Sequence, residues 1–442
     1  VTDAAEPAPR AVPSPGRRRA PWAAAAVALV CVTAAVVVPG GPRIGTVTQG
    51  ATGSGSSTPL TLPGPDLPAE VLDPASRKQA IESLLSSRGW AITADDEQAW
   101  LDLQVADADV PDFDDLAALP ITQWRYTLEA TTSGADPREV SAQVGVAYRY
   151  DVDEQDALLR ERLTLRHTED GWRVVTQSTD GSRAQPWDLG DIRVARGASS
   201  LVVGIDVGQQ TIDRYAALAD EVARDVTQVW GPDWTRRPVL VVPRTTAMLG
   251  EGLARASSSL EQIAAVTTAE DGDGDRDRSR GADRVWTNTP VMSSLSALGR
   301  EIVVRHEVLH VATGAAATGA TPLWLEEGYA ELVGYRGSGV PLRIATGDVL
   351  RAERAGRGPT SLPTPQDFSG GGLTEAYESA HLACVLVVDE AGLDGLAELY
   401  RRTAAGTSGA ELNVDTALRE VLGYGIDEFE SRWRAQLRTL AG

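Results

Sequence analysis

His306-Glu307-Val308-Leu309-His310 places two imidazoles four residues apart, with a carboxylate directly after the first. On a helix such residues share one face, with Cβ atoms roughly 5–6 Å apart. Two imidazoles so placed reach one Zn²⁺ through bonds of about 2.0–2.1 Å. Glu307 then stands beside the first ligand without binding the metal, in position to take a proton from a water held there. The chemistry this predicts is hydrolysis by metal-activated water, with His306 and His310 as ligands and Glu307 as general base. A helix here has independent support. Val303, Val304, Val308 and Ala312 fit a buried face, Ser293 or Ser294 can cap the start, and Gly314 can end it. The chain has four histidines, His167, His306, His310 and His381, so this spacing around a glutamate is a rare coincidence. The plain alternative is a surface helix carrying two solvated histidines.

A second segment begins 12 residues after His310: Pro322-Leu-Trp324-Leu325-Glu326-Glu327-Gly328-Tyr329-Ala330-Glu331. Glu326 and Glu327 point about 100° apart on a helix, so both cannot bind one metal equally. Trp324, Leu325, Glu327, Gly328 and Ala330 together match the W-L-x-E-G-x-A element of gluzincin-type zinc metallopeptidases, which this part of the chain resembles. The resemblance implies Glu327 as the third ligand, giving zinc two histidines, one carboxylate and an open position. It also implies an acid one turn on. That residue is Glu331, which would hydrogen-bond a ligand histidine from behind and fix its tautomer; an ordinary helix carboxylate is the alternative.

A zinc peptidase needs a donor for the oxyanion of its tetrahedral intermediate. Relatives use a Tyr or His that follows the third ligand at some distance. Tyr377 is the first candidate and His381 the second, four residues apart in Leu373-Thr-Glu-Ala-Tyr377-Glu-Ser-Ala-His381. Such peptidases also run an edge strand above the zinc helix, where extended substrate backbone pairs. Val285-Trp286-Thr287-Asn288 is expected to be that strand, in a hairpin with Ile263 to Thr268. A merely structural edge strand is the alternative.

The elements that must position these residues fall into an α+β organisation. Residues 198–442 form the expected gluzincin-like metallopeptidase domain, α/β at first and helical from Ser293 onward. Residues 73–197 form an α+β accessory domain, with helix at Ala75 to Leu85. Strands follow at Trp124 to Glu129, Val140 to Tyr150, Arg160 to His167 and Trp172 to Val175. Helices followed by antiparallel strands ending in Glu169-Asp-Gly-Trp172-Arg-Val resemble the cone-shaped nuclear-transport-factor-like superfamily. Ahead of them, residues 1–20 read as a basic cytoplasmic tail, 21–39 as a single transmembrane helix and 40–72 as a flexible linker. The charge-free run from Trp22 to Val38 follows Arg17, Arg18 and Arg19, which places the remaining domains outside the membrane. Secretion after signal cleavage is the alternative.

Length, 442 residues, suggests two or three domains. A net charge of −21 argues against general nucleic-acid binding, which needs a basic footprint. Cys31 and Cys384 lie too far apart in organisation to pair. Asp271, Asp273, Asp275 and Asp277 alternate as in a calcium loop. Arg276 and Ala282 stand where an EF-hand needs Gly and Glu, so a solvated loop is expected. No G-x-S-x-G elbow or phosphate-binding loop is present. The expectation is a membrane-anchored, extracytoplasmic Zn²⁺-dependent metallopeptidase acting on peptide or protein substrates. The alternative is a zincin-fold binding or assembly factor without turnover.

Overall fold

The computed structural model describes residues 68, 71, 73–179, 183–270, 282–315, 319–369 and 372–442. The first unit opens with helices α1 (Pro74–Thr93) and α2 (Glu97–Asp102). Each is capped by an aspartate: Asp73 accepts from the Ser76 N–H and Asp96 from the Ala99 N–H. Strand β1 (Gln104–Asp109) and helix α3 (Phe113–Ala118) follow. Next come β2 (Ile121–Ser133), β3 (Glu139–Tyr150), β4 (Ala157–Thr168) and β5 (Gly171–Thr179). They make one sheet in the order β1-β5-β4-β3-β2, antiparallel except where β1 runs along β5. On β3 every second residue from Val140 to Tyr150 is buried, so one sheet face closes a core with α1.

The second unit begins with β6 (Ile192–Arg196) and β7 (Leu201–Ile205), then α4 (Gln209–Trp230), β8 (Val239–Pro243) and α5 (Thr246–Gly252). Strands β9 (Ala265–Thr268) and β10 (Arg284–Thr287) and helices α6 (Thr289–Ser294) and α7 (Ala297–Thr313) follow. The remainder is helical: α8 (Leu323–Tyr335), α9 (Leu342–Ala345), α10 (Gly347–Arg354), α11 (Leu373–Ala405), α12 (Ala410–Val421) and α13 (Ile426–Ala441). The second sheet has the order β6-β7-β8-β10-β9. β7, β8 and β10 are parallel, and the outer strands β6 and β9 are antiparallel to their neighbours. The strand β6 lies upstream of the expected division at 197/198 and pairs with β7.

This second sheet is a wall between two cores, which explains why its strands read as unbroken apolar runs. Val203, Ile205, Val239, Val241, Val266 and Trp286 face the first unit and join its core. Their neighbours Val202, Leu240, Val242, Ala265 and Val285 face α4 and α7 and join the helical core.

Three expectations change. The strand Val285-Trp286-Thr287-Asn288 is not at the edge, because β10 pairs in parallel with β8 on one side and with β9 on the other. The edge strand beside α7 is β9. Ser293 and Ser294 end α6, and α7 is capped by Ser296, whose hydroxyl accepts from the Gly299 N–H at 3.0 Å.

The third correction concerns the membrane. Among the described residues no helix is long and apolar enough to cross one. A spanning helix needs about 20 mostly apolar residues. The long helices here carry charge along their length, as Asp213, Arg214, Asp220 and Arg224 in α4 and Glu375, Glu378, Asp389 and Glu390 in α11 show. The tail, the apolar run at 21–39 and the linker as far as 67 lie outside the described residues, as does the calcium-loop-like segment 271–281. The transmembrane part of the expected fold class and the single-pass extracytoplasmic placement are therefore withdrawn.

The two units are joined by a buried ion pair. Arg284 on β10 donates to both oxygens of Asp153 at 2.8 and 2.7 Å, with side chains 3% and 2% exposed. Removing one partner of such a pair leaves an uncompensated charge in the interior and costs about 3–5 kcal/mol, whereas an apolar replacement of both is far milder. Asp153→Ala is thus expected to destabilise the protein by about 3–5 kcal/mol, and Asp153→Ala with Arg284→Met to recover most of that loss. Urea unfolding of the three forms checks it; equal losses in the single and double variants would refute the assignment.

Candidate metal centre

Helix α7 carries His306, Glu307 and His310 on its buried side and ends at Gly314, which adopts the left-handed conformation (φ 67°). Helix α8 carries Glu327 and Glu331 one turn apart. The two helices are drawn together at Gly334, where a Cβ would come 3.1 Å from the Ile302 carbonyl oxygen. On its other side α8 meets α11 at Gly328, where a Cβ would sit 2.2 Å from the Ala380 carbonyl oxygen. The glycine of the W-L-x-E-G-x-A element is therefore a packing requirement. Arg305 fixes the arrangement from behind. Its guanidinium donates to the Gly334 and Arg336 carbonyls at 3.0 and 3.2 Å, to Asp225 of α4 at 2.8 Å, and to Glu301.

This packing brings His306, His310 and Glu327 into one buried group whose ligand atoms lie within 4.8 Å of one another. The two Nε2 atoms are 3.0 Å apart, and Glu327 Oε2 is 3.2 Å from the first and 3.5 Å from the second. A tetrahedral ion with bonds of about 2.0–2.1 Å spans ligand–ligand edges of roughly 3.3 Å. The triangle therefore fits a divalent ion with two imidazole nitrogens and one carboxylate oxygen. All three ligands and Glu307 are at most 2% exposed. His306 presents its other nitrogen, Nδ1, to Glu331 Oε1 at 3.3 Å.

The other residues singled out from the sequence divide. Tyr377 is buried with its ring 6.3 Å from that of His306, and Phe368 packs edge-on against it at 5.2 Å. His381 goes elsewhere. Its ring stacks on Tyr335 at 5.7 Å and lines an apolar cavity of about 310 Å³ with Leu332, Val340, Leu342, Val385 and Val388. None of the three ligand residues lines that cavity. One helical turn separates the two side chains, and the crossing of α8 over α11 gives them different neighbours. Thr267 of β9 has no counterpart among the residues read from the sequence, yet its hydroxyl donates to Glu307 Oε2 at 2.6 Å. A polar residue within the apolar run Ile263 to Thr268 is the one sequence signal that could have pointed to it.

No protein-family model matches the chain. No curated protein matches it either. Among solved structures, a substituted two-domain M1 zinc metallopeptidase bound to L-arginine is similar over 75% of this chain and 94% of its own, at 10% identity and a TM-score of 0.37. An NTF2-like protein with a cystatin-like fold from Novosphingobium aromaticivorans covers 27% of this chain and 94% of its own, at 19% identity and a TM-score of 0.21. A Δ5-3-ketosteroid isomerase from Mycobacterium sp. covers 22% of this chain and 89% of its own, at 17% identity and a TM-score of 0.18.

The electrostatics of the group follow from its burial. Burial alone would lower the His306 imidazolium, but the carboxylates of Glu327 and Glu331 outweigh it and raise the group to about 10. Burial would likewise raise Glu327, and the two histidines against it bring it down to about 2. These shifts describe one ion pair: without a metal, a proton sits between the ligands. Glu326 is different. Burial, then the charge of Glu327, pushes its carboxyl well above the usual range. His381 is lowered to about 4 by burial alone and is a neutral imidazole at pH 7.

A metal must displace the His306 proton, which is present at every pH below about 10. Divalent-ion affinity is therefore expected to rise with pH, by about tenfold per unit where one proton leaves. At fixed pH, Glu331→Gln is expected to weaken binding roughly 10- to 100-fold, and Glu326→Gln to leave it unchanged. Titration of the metal-free protein with Zn²⁺ in buffers of different ionisation enthalpy reads both quantities. PH-independent affinity, or a larger loss at Glu326 than at Glu331, would contradict this account.

Proposed function

We propose that the protein is a zinc metallopeptidase that hydrolyses peptide bonds in peptide or protein substrates. The observation that carries this reading is the buried His306–His310–Glu327 triangle with the Glu307 carboxylate beside it. The donor set, two imidazoles and one carboxylate, suits zinc with a position left open. Bound zinc supplies Lewis-acid polarisation of the scissile carbonyl and acidifies water.

The chain's own residues do the rest. Glu307 takes a proton from the attacking water as its oxygen bonds to the carbonyl carbon. As the C–N bond breaks, Glu307 delivers that proton to the leaving amine nitrogen. Glu331 holds His306 from behind, which fixes the tautomer that leaves Nε2 for the ion. Tyr377 is the donor for the developing oxyanion, being the phenol that packs against His306. The strand β9, at the end of its sheet and fully buried, would pair with extended substrate backbone once what covers it is displaced.

Burial favours a second reading, a binding or assembly factor without turnover. His306 and Glu307 are 0% exposed, so a substrate has to displace what covers them. One experiment separates the two. Wild type, Glu307→Gln and Glu327→Ala are assayed for bound zinc and for cleavage of a mixed peptide library. The peptidase reading expects one zinc in wild type and in Glu307→Gln, none in Glu327→Ala, and a rate reduced roughly 10²–10⁴-fold in Glu307→Gln. Zinc in wild type with no cleavage of any peptide favours the binding factor. Wild type without zinc removes both.

A further inference from the structure

We propose that Thr267 is the positioning residue of the general base: its hydroxyl fastens one oxygen of Glu307 so that the other is presented to the attacking water. This rests on the peptidase reading and deepens it. Thr267 lies on the edge strand β9 and is 0% exposed. Residues of β9 alternate between the two cores, Ala265 toward the helices and Val266 toward the first unit. Thr267 therefore faces α7, and its neighbour Thr268 turns away to bond Glu270 at 2.9 Å.

The Thr267 Oγ1 has a single proton and two acceptors within reach. Glu307 Oε2 is at 2.6 Å and the Glu307 carbonyl oxygen at 3.2 Å, so the carboxylate takes the proton. Glu307 Oε1 is buried with no hydrogen-bond partner. An orphaned oxygen in the interior is costly and is relieved when a water arrives to donate to it. The two oxygens are thus made unequal, one tied and one ready. Nothing intrinsic to glutamate does this, because its terminal torsion is broad and roughly two-fold.

The identity of the residue supports the same conclusion. Valine has nearly the same shape and would suit a fully buried strand position beside Ala265 and Val266 without the cost of burying a hydroxyl. The hydroxyl is retained where its one short bond is to the base.

The test compares zinc-loaded wild type with Thr267→Val, Thr267→Ser, Glu307→Gln and the Thr267→Val/Glu307→Gln double variant. The assay is cleavage of a peptide that wild type cuts, and zinc affinity is measured on each metal-free protein. Thr267→Val is expected to lower kcat roughly 10- to 100-fold with little change in KM. Zinc affinity is expected to stay at the wild-type value, because Thr267 touches the base and no ligand. Thr267→Ser restores kcat, and Thr267→Val adds no loss once Glu307 is glutamine. Wild-type kcat in Thr267→Val overturns the assignment, as does a serine variant as damaged as the valine one. A fall in zinc affinity parallel to kcat also overturns it by marking a structural role. Should the valine variant fail to fold, Thr267→Ala removes the hydroxyl with less steric demand and is read the same way. Wild type that binds zinc but cuts nothing overturns the peptidase reading itself, whereas active wild type with an unaffected valine variant overturns this assignment alone.

Discussion

Three candidate metal ligands on two helices leave little tolerance in how those helices pack. The edges of the triangle, 3.0 to 3.5 Å, depend on the distance between α7 and α8. That distance is set where Gly334 lies against the Ile302 carbonyl, with α11 pressing from the far side at Gly328. A side chain at either glycine would push α8 outward and carry Glu327 with it. Ridge-into-groove packing alone puts helix axes 8–10 Å apart in typical proteins, with scatter larger than a metal site accepts. The Arg305 guanidinium removes that scatter by tying α7 to two carbonyls at the end of α8 and to Asp225 on α4.

The same closeness creates an electrostatic problem. Glu307, Glu326, Glu327 and Glu331 are all at most 5% exposed, and unpaired carboxylates in such a place are very costly. The chain meets the problem in three ways. Burial shifts Glu326 toward its neutral form. Glu327 and Glu331 share the positive charge that they induce on His306. Glu307 takes a hydrogen bond from Thr267. A divalent ion replaces one proton with two positive charges in this cluster, so metal binding and folding stability are linked by the same groups that define the site.

The part of this that was legible in the sequence is the part governed by helical periodicity. The i, i+4 spacing put His306 and His310 on one face, and the spacing of Glu327 and Glu331 put both on one face of the next helix. The choice of Glu327 over Glu326 came from the family resemblance, and the structure places Glu327 in the triangle. What periodicity could not give was order across the sheet. Whether β9 or β10 lies at the edge depends on the parallel pairing of β10 with β8, between residues more than 40 positions apart, such as Leu240 and Val285. Thr267 stayed unmarked for that reason, since its contact with Glu307 appears only once β9 is known to lie beside α7. His381 shows the converse limit. It shares a helix face with Tyr377, but α8 crosses α11, so the next turn meets Tyr335 and not the ligands.

The first unit takes part in this alignment. Its core is continuous with the outer face of the second sheet, through Val241, Val266 and Trp286. Some of its polar contacts reach the ends of β9 and β10. Asp153 holds Arg284 at the start of β10. The Leu158 N–H bonds the Glu270 carbonyl at 2.8 Å, and Arg183 pairs with the Glu270 carboxylate at 2.9 Å, just past the end of β9. Glu270 is three residues from Thr267. An edge strand has partners on one side only and would otherwise be free to shift along its neighbour. Anchored at Glu270 and packed from behind, β9 holds the Thr267 hydroxyl at a fixed height over Glu307. The α+β unit is thus the outer support of the strand that carries Thr267, and the contact between Thr267 and Glu307 rests on both units being folded together.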